Sequence, residues 1–72
     1  MKNPNIVIGY RAAAEVKRLF PKRKYAAIAI GCGPDTIKDW GRGVAPLPSD
    51  LAQLHKVGAD VIWILTGKRE GK

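Results

Sequence analysis

The residues Gly31-Cys32-Gly33-Pro34 constrain this chain more than any others. They sit in the middle of its most regular stretch, Lys24 to Trp40, with apolar residues at helical spacing on both sides. Proline disfavours helix in the residue before it but is accepted at the first position of a new helix. One helix must therefore stop near Ile30 and another start at Pro34, with Gly33 as its N-cap. A turn of three or four residues containing glycine joins two helices that cross steeply. The flanking residues agree: Ala26 and Ala27 are small, just before Gly31, where the second helix must approach, and Ile37 and Trp40 are placed to pack back on the first.

The same punctuation divides the rest of the chain. A first helix is predicted from about Ile8 to Phe20 on the spacing of Ala12/Ala13, Val16 and Leu19/Phe20, and Pro21 closes it. The second runs from about Lys22 to Ile30. The third starts at Pro34, has Asp35 in its first turn and ends near Arg42-Gly43. A fourth starts around Pro48, carries Ser49 and Asp50 in its first turn and stops at Gly58. Asp60 reads as the N-cap of a short fifth helix, Val61 to Thr66, stopped by Gly67. Only Ile6-Val7-Ile8 is ambiguous between strand and helix. The expectation is an all-α single domain over residues 1–72, its steeply crossed helix pair at about 22–42 and a flexible tail at about 68–72.

With 72 residues, such a chain buries only about 60% of its unfolded surface. One cysteine cannot form an internal disulfide, and no His/Cys cluster has metal-ligand spacing, so no metal or cofactor is expected. The apolar run at the N-terminus is too short for a secretory signal, and none approaches the ~20 residues of a membrane span. The lone cysteine fits a reducing cytosol. No nucleophile, base or carboxylate pair has catalytic spacing, so no enzyme is expected; His55 reads as a surface residue.

Charge says more about partners. Thirteen Lys and Arg face six Asp and Glu, a formal +7, with a pI of about 10.0. Lys17, Arg18, Lys22, Arg23 and Lys24 fall within eight residues that contain no acid. Clustered cations on a compact domain suit a polyanion, nucleic acid first and an acidic membrane surface second. The plain alternative is a solubilising face.

At 100° per residue, Asp35, Lys38, Asp39 and Arg42 occupy an arc of about 100° on the third helix, with Thr36 at its edge. Ile37, Trp40 and Gly41 lie opposite. That division of core from polar face is what a helix in the major groove of DNA requires. Lys38 and Arg42 are long donors for guanine O6/N7 or a flanking phosphate, or else a solvated helix face. Asp39 either accepts from cytosine N4 or steadies Arg42 three residues on. Asp35 is most simply a helix-dipole residue, and Thr36 suits a phosphate or a thymine methyl. Lys17 and Arg18 are phosphate contacts or solvated side chains. Cys32 is a small turn residue or a redox switch; Trp40 and Trp63 read as core.

The turn pattern Ala27-Gly31-Ile37-Trp40, then Arg42-Gly43, then Leu51-Ala52, Gly58 and Asp60-Val61-Ile62-Trp63-Ile64-Leu65-Thr66-Gly67 resemble the helix-turn-helix DNA-binding domain of temperate-phage repressors of the CI and Cro type. The closing stretch is similar to the Trp-Leu-Leu-x-Gly ending of those domains and is the most specific part. The resemblance spans about Ile8 to Gly67. It implies a compact five-helix lambda-repressor-like fold and a transcriptional repressor in the bacterial cytoplasm, bound as a homodimer to a palindromic double-stranded operator. It also places the start of the second helix, with Lys22, Arg23 and Lys24, against the DNA backbone. Repressors of the CI type continue into a C-terminal dimerisation domain. This chain stops at Lys72, as a stand-alone Cro-like regulator or the N-terminal domain of a longer repressor would. Pro34, Asp35 and Asp39 stand where many relatives carry Ser, Thr, Gln or Asn.

The fifth predicted helix is apolar at five successive positions, Val61 to Leu65, more than one buried stripe needs. The expectation is a homodimer through this helix, centred on Ile62 or Ile64, with Trp63 a further contact. Competing readings are an antitoxin using the same motif, a module that binds an antirepressor or other acidic protein, and a non-specific DNA-coating protein.

Overall fold

Helix ends, more than helix interiors, set the path of this chain. In the computed structural model, which describes residues 4–69, five α-helices follow one another with no strand among the described residues. They are α1 (Pro4–Leu19), α2 (Arg23–Ile30), α3 (Pro34–Trp40), α4 (Pro48–Lys56) and α5 (Val61–Thr66). The class is all-α, as the sequence leads one to expect.

Pro21 prevents α1 from continuing. Each of the other four helices gives way to a glycine in the left-handed region: Gly31, Gly43, Gly58 and Gly67. The turn after α3 shows how this works. The Val44 N–H donates to the Asp39 carbonyl at 3.0 Å and the Gly43 N–H to the Trp40 carbonyl at 3.0 Å. These are the two bonds of a Schellman motif, which satisfies carbonyls that a helix end leaves unpaired. Regular α3 thus ends at Trp40, slightly before the expected Arg42-Gly43, and the Schellman bonds carry the chain through to Gly43. The starts are equally local. Gly33 is extended and Pro34 opens α3; the Asp60 carboxylate accepts from the Trp63 N–H at 2.9 Å; Asp50 accepts from the Leu47 N–H at 3.2 Å.

The largest departure from expectation is in α1. α1 begins at Pro4 rather than Ile8, so Ile6-Val7-Ile8 is helical. β-branched residues are modest helix formers, and tertiary contact overrides that preference. Gly9 is buried where α1 meets the turn after α3: a Cβ there would lie 2.5 Å from the Val44 carbonyl oxygen and 2.9 Å from that of Trp40. Ile6 sits directly beside Gly43 in the same contact.

α1 is the hub. It packs on α2, α3 and α5, while α2 also meets α3 and α4, and α4 meets α5. The core gathers Ala12 and Val16 of α1, Ala26, Ala27 and Ile30 of α2, and Ile37 and Trp40 of α3, with Leu54, Ala59 and Ile64. Trp40, Leu54 and Ile64 are the largest apolar side chains fully enclosed, each contributing about 1.5–3 kcal/mol by burial. Ala26 and Ala27 are small where α3 comes against α2, the role that their spacing from Gly31 suggests. Lys68 and Arg69 are tethered, the former through a Thr66 hydroxyl that accepts its N–H at 3.1 Å. Of the tail expected at about 68–72, residues 70–72 lie outside the described residues.

Candidate nucleic-acid interface

α3 separates its faces largely as its periodicity predicts, except that Gly41, expected on the core side, is exposed. Ile37 and Trp40 are buried; Asp35, Lys38 and Arg42 are exposed; Thr36 and Asp39 are half-buried. Arg42 lies just past the regular helix, on the Schellman turn, with its guanidinium 3.9 Å from the Asp39 carboxylate. Their side chains are 65% and 50% exposed, so solvent screens the pair and its strength is at most about 0.5 kcal/mol. Asp39 biases Arg42 without immobilising it.

Beside Lys38 runs a groove of about 490 Å3 between α1, the α1–α2 turn and α3. Lys17, Lys22, Arg23 and Lys38 line it together with Tyr10, and none of its described lining residues is acidic. Three candidate phosphate contacts and one candidate base-reading residue, scattered in sequence, thus share one surface. Among the described residues the carboxylates of Glu15, Asp39 and Asp60 take Arg18, Arg42 and Arg69, and none pairs with Lys17, Lys22, Arg23, Lys24 or Lys38. The positive potential of the groove is therefore uncompensated locally. Lys24 is exposed but is not among the groove's lining; its ammonium lies over the Tyr25 ring, 5.4 Å from the centroid.

Arg18, another candidate phosphate contact, is half-exposed and paired. Its Nε and Nη2 donate to the two oxygens of Glu15 at 2.9 and 2.8 Å, a bidentate geometry that fixes the guanidinium. Glu15 itself is 1% exposed. Beyond Arg18 it accepts the Asp60 N–H at 2.8 Å and a long contact from Arg69 at 3.4 Å. Chiefly the Arg18 hydrogen bonds, helped by the Asp60 N–H, hold its carboxyl down to about 2 against the opposing effect of burial. Arg69 also donates to Asp60 at 3.1 Å and stacks 4.3 Å from the Trp63 ring. Sequence reasoning missed this cluster, yet the signal was present. Glu15 occupies the same α1 stripe as Ala12, Val16 and Leu19, an acid at a core position with an arginine three residues on.

α5 corrects one expected dimer contact. Ile64 is 0% exposed, sealed inside its own domain, so it is unavailable to a partner chain. Trp63 is half-buried, and the Arg69 guanidinium covers its ring. Ile62 remains, 48% exposed, and Leu65, which the sequence reading did not single out, is 43% exposed beside it. The two share an apolar groove with Pro48, Leu51, Ala52 and His55 of α4.

Cys32 is half-buried in the turn. Burial, with the nearby Asp50 carboxylate, pushes its thiol up, which suppresses the reactive thiolate and favours the packing role. Among the described residues no group of three or more His, Cys, Asp or Glu is placed to hold a metal ion, and no helix is long and apolar enough to cross a membrane. No protein-family model, curated protein or solved structure matches this chain. Geometry and chemistry alone therefore bear on its function.

Proposed function

We propose that this chain is a sequence-specific double-stranded DNA-binding regulator of the phage or prophage repressor type, working in the bacterial cytoplasm without cofactor or catalysis. The observation that carries the reading is the groove in which Lys17, Lys22 and Arg23 meet Lys38 beside the exposed polar face of α3. In this reading α2 and α3 form the helix-turn-helix pair of a lambda-repressor-like domain. The groove cations take phosphates, which set position and affinity, while Lys38, Arg42, Asp39, Thr36 and Asp35 face base edges and set sequence. Two copies join through Ile62 and Leu65 of α5 and span two half-sites about one DNA turn, ~34 Å, apart.

Selection of binding sites from random duplex DNA tests this directly. The proposal expects a palindrome with one fixed half-site spacing. Recovery of sequences with no shared motif would leave only non-specific coating.

A further inference from the structure

The groove contains more than phosphate contacts require. Phosphate oxygens need donors, and the cations supply them, but they have no use for an apolar floor. Here Ala13, Val16, Phe20 and Ile37 line the same groove as the four cations. Its volume, about 490 Å3, lies within the ~300–1,000 Å3 typical of small-molecule sites, and such sites combine an apolar lining with a few convergent polar groups. The wall from Tyr10 on α1 to Phe20 just past its end rises about 15 Å. That length suits a short acyl chain or a bicyclic aromatic ring better than a folded partner. A second copy of this chain is disfavoured there, because its formal charge is +7 and the groove is cationic.

We propose that the groove between α1 and α3 binds a small amphipathic anion, one carboxylate or phosphate head on a compact apolar body. The body lies on Ala13, Ala14 and Phe20, over the buried Val16 and Ile37, and the head meets Lys17, Lys22, Arg23 or Lys38. Such a ligand occupies cations that the proposed function assigns to DNA. On that reading, and only on it, the ligand is an effector that releases the duplex.

The test uses the intact chain, without DNA, and follows its amide and methyl NMR signals on titration with octanoate. Acetate supplies the charge alone and octan-1-ol the apolar body alone. Octanoate should shift signals of Ala13, Ala14, Val16 and Ile37 and bind at least tenfold more tightly than either control. Ala14 is exposed and lines the groove, so Ala14→Glu should keep the fold and abolish those shifts. Equal binding of acetate or octan-1-ol, shifts confined to Ile62 and Leu65, or an unaffected Ala14→Glu variant would overturn the site. Displacement of duplex DNA is read separately. Octanoate that fills the groove without displacing a bound duplex supports the site and contradicts the docking proposed for DNA.

Discussion

A carboxylate only 1% exposed keeps its charge when donors surround it, and Glu15 has Arg18, the Asp60 N–H and Arg69. Its folded-state pKa of about 2 lies below the ordinary 4.5. The stabilisation it confers is therefore complete above about pH 4.5 and is lost as pH falls toward about 2. Denaturant unfolding across that window should show stability declining with acid. Glu15→Gln should cost about 1–3 kcal/mol at neutral pH, because a neutral amide gives up the charged acceptors that Arg18 and the Asp60 N–H now meet, and should flatten the acid-side decline. A variant as stable as the parent at neutral pH contradicts the role. Gly9 makes a second residue-scale prediction. Gly9→Ala drives a methyl into the carbonyls of Trp40 and Val44, backbone that cannot swing aside, and should destabilise by at least about 2 kcal/mol. Thermal unfolding of this variant beside exposed Ala14→Ser, which should be near neutral, separates that clash from a general effect on α1. Neither residue was read from the sequence, for different reasons. Glu15 interrupts an apolar stripe and was visible in principle. Gly9 matters only because two distant carbonyls meet it, and local pattern does not encode that contact.

At the scale of elements, punctuation proved more legible than length. Gly31-Cys32-Gly33-Pro34 placed one helix end and one helix start, and Asp60 with Gly67 placed both ends of α5, because these residues act on their immediate backbone. The start of α1 was not legible, since Ile6-Val7-Ile8 favours neither state strongly until Gly9 and Ile6 pack on the turn after α3. The faces of α5 were half legible. Five apolar residues in succession leave the inward side of the helix open, and only packing against α1 decides that Ile64 points inward and Ile62 outward. Gly31 gives the test at this scale. Its φ is 83° and a Cβ there meets no atom within 4 Å, so Gly31→Ala should cost only the conformational penalty, about 1–2 kcal/mol. Chemical denaturation of that variant should show the loss with an unchanged denaturant slope; a larger loss would mean that the turn packs more tightly than its geometry indicates.

For the whole molecule, two surfaces divide the proposed work. In the proposed reading the α1–α3 groove and the polar face of α3 would take DNA, and the outward face of α5 would join two chains. The cations of the groove were legible as a charge cluster, but their convergence with Lys38 was not, because it depends on how α3 lies against α1. Ile62→Glu should leave a folded monomer with weakened operator binding, by sedimentation and by duplex titration, since Ile62 is half-exposed and contributes little to its own core. Persistence of a dimer after this change would place the contact elsewhere. The groove itself is tested most directly by the salt dependence of duplex binding for Lys22→Ala and Lys38→Ala set beside Lys56→Ala, which removes the same charge from an exposed position on α4. If the groove holds phosphates, Lys22→Ala lowers the slope of log K against log salt by about one on every sequence. Lys38→Ala costs about 1–3 kcal/mol chiefly on the preferred sequence, and Lys56→Ala leaves slope and preference intact. Equal effects from all three substitutions would mean that net charge alone attracts DNA, and the interface built on α3 would be contradicted.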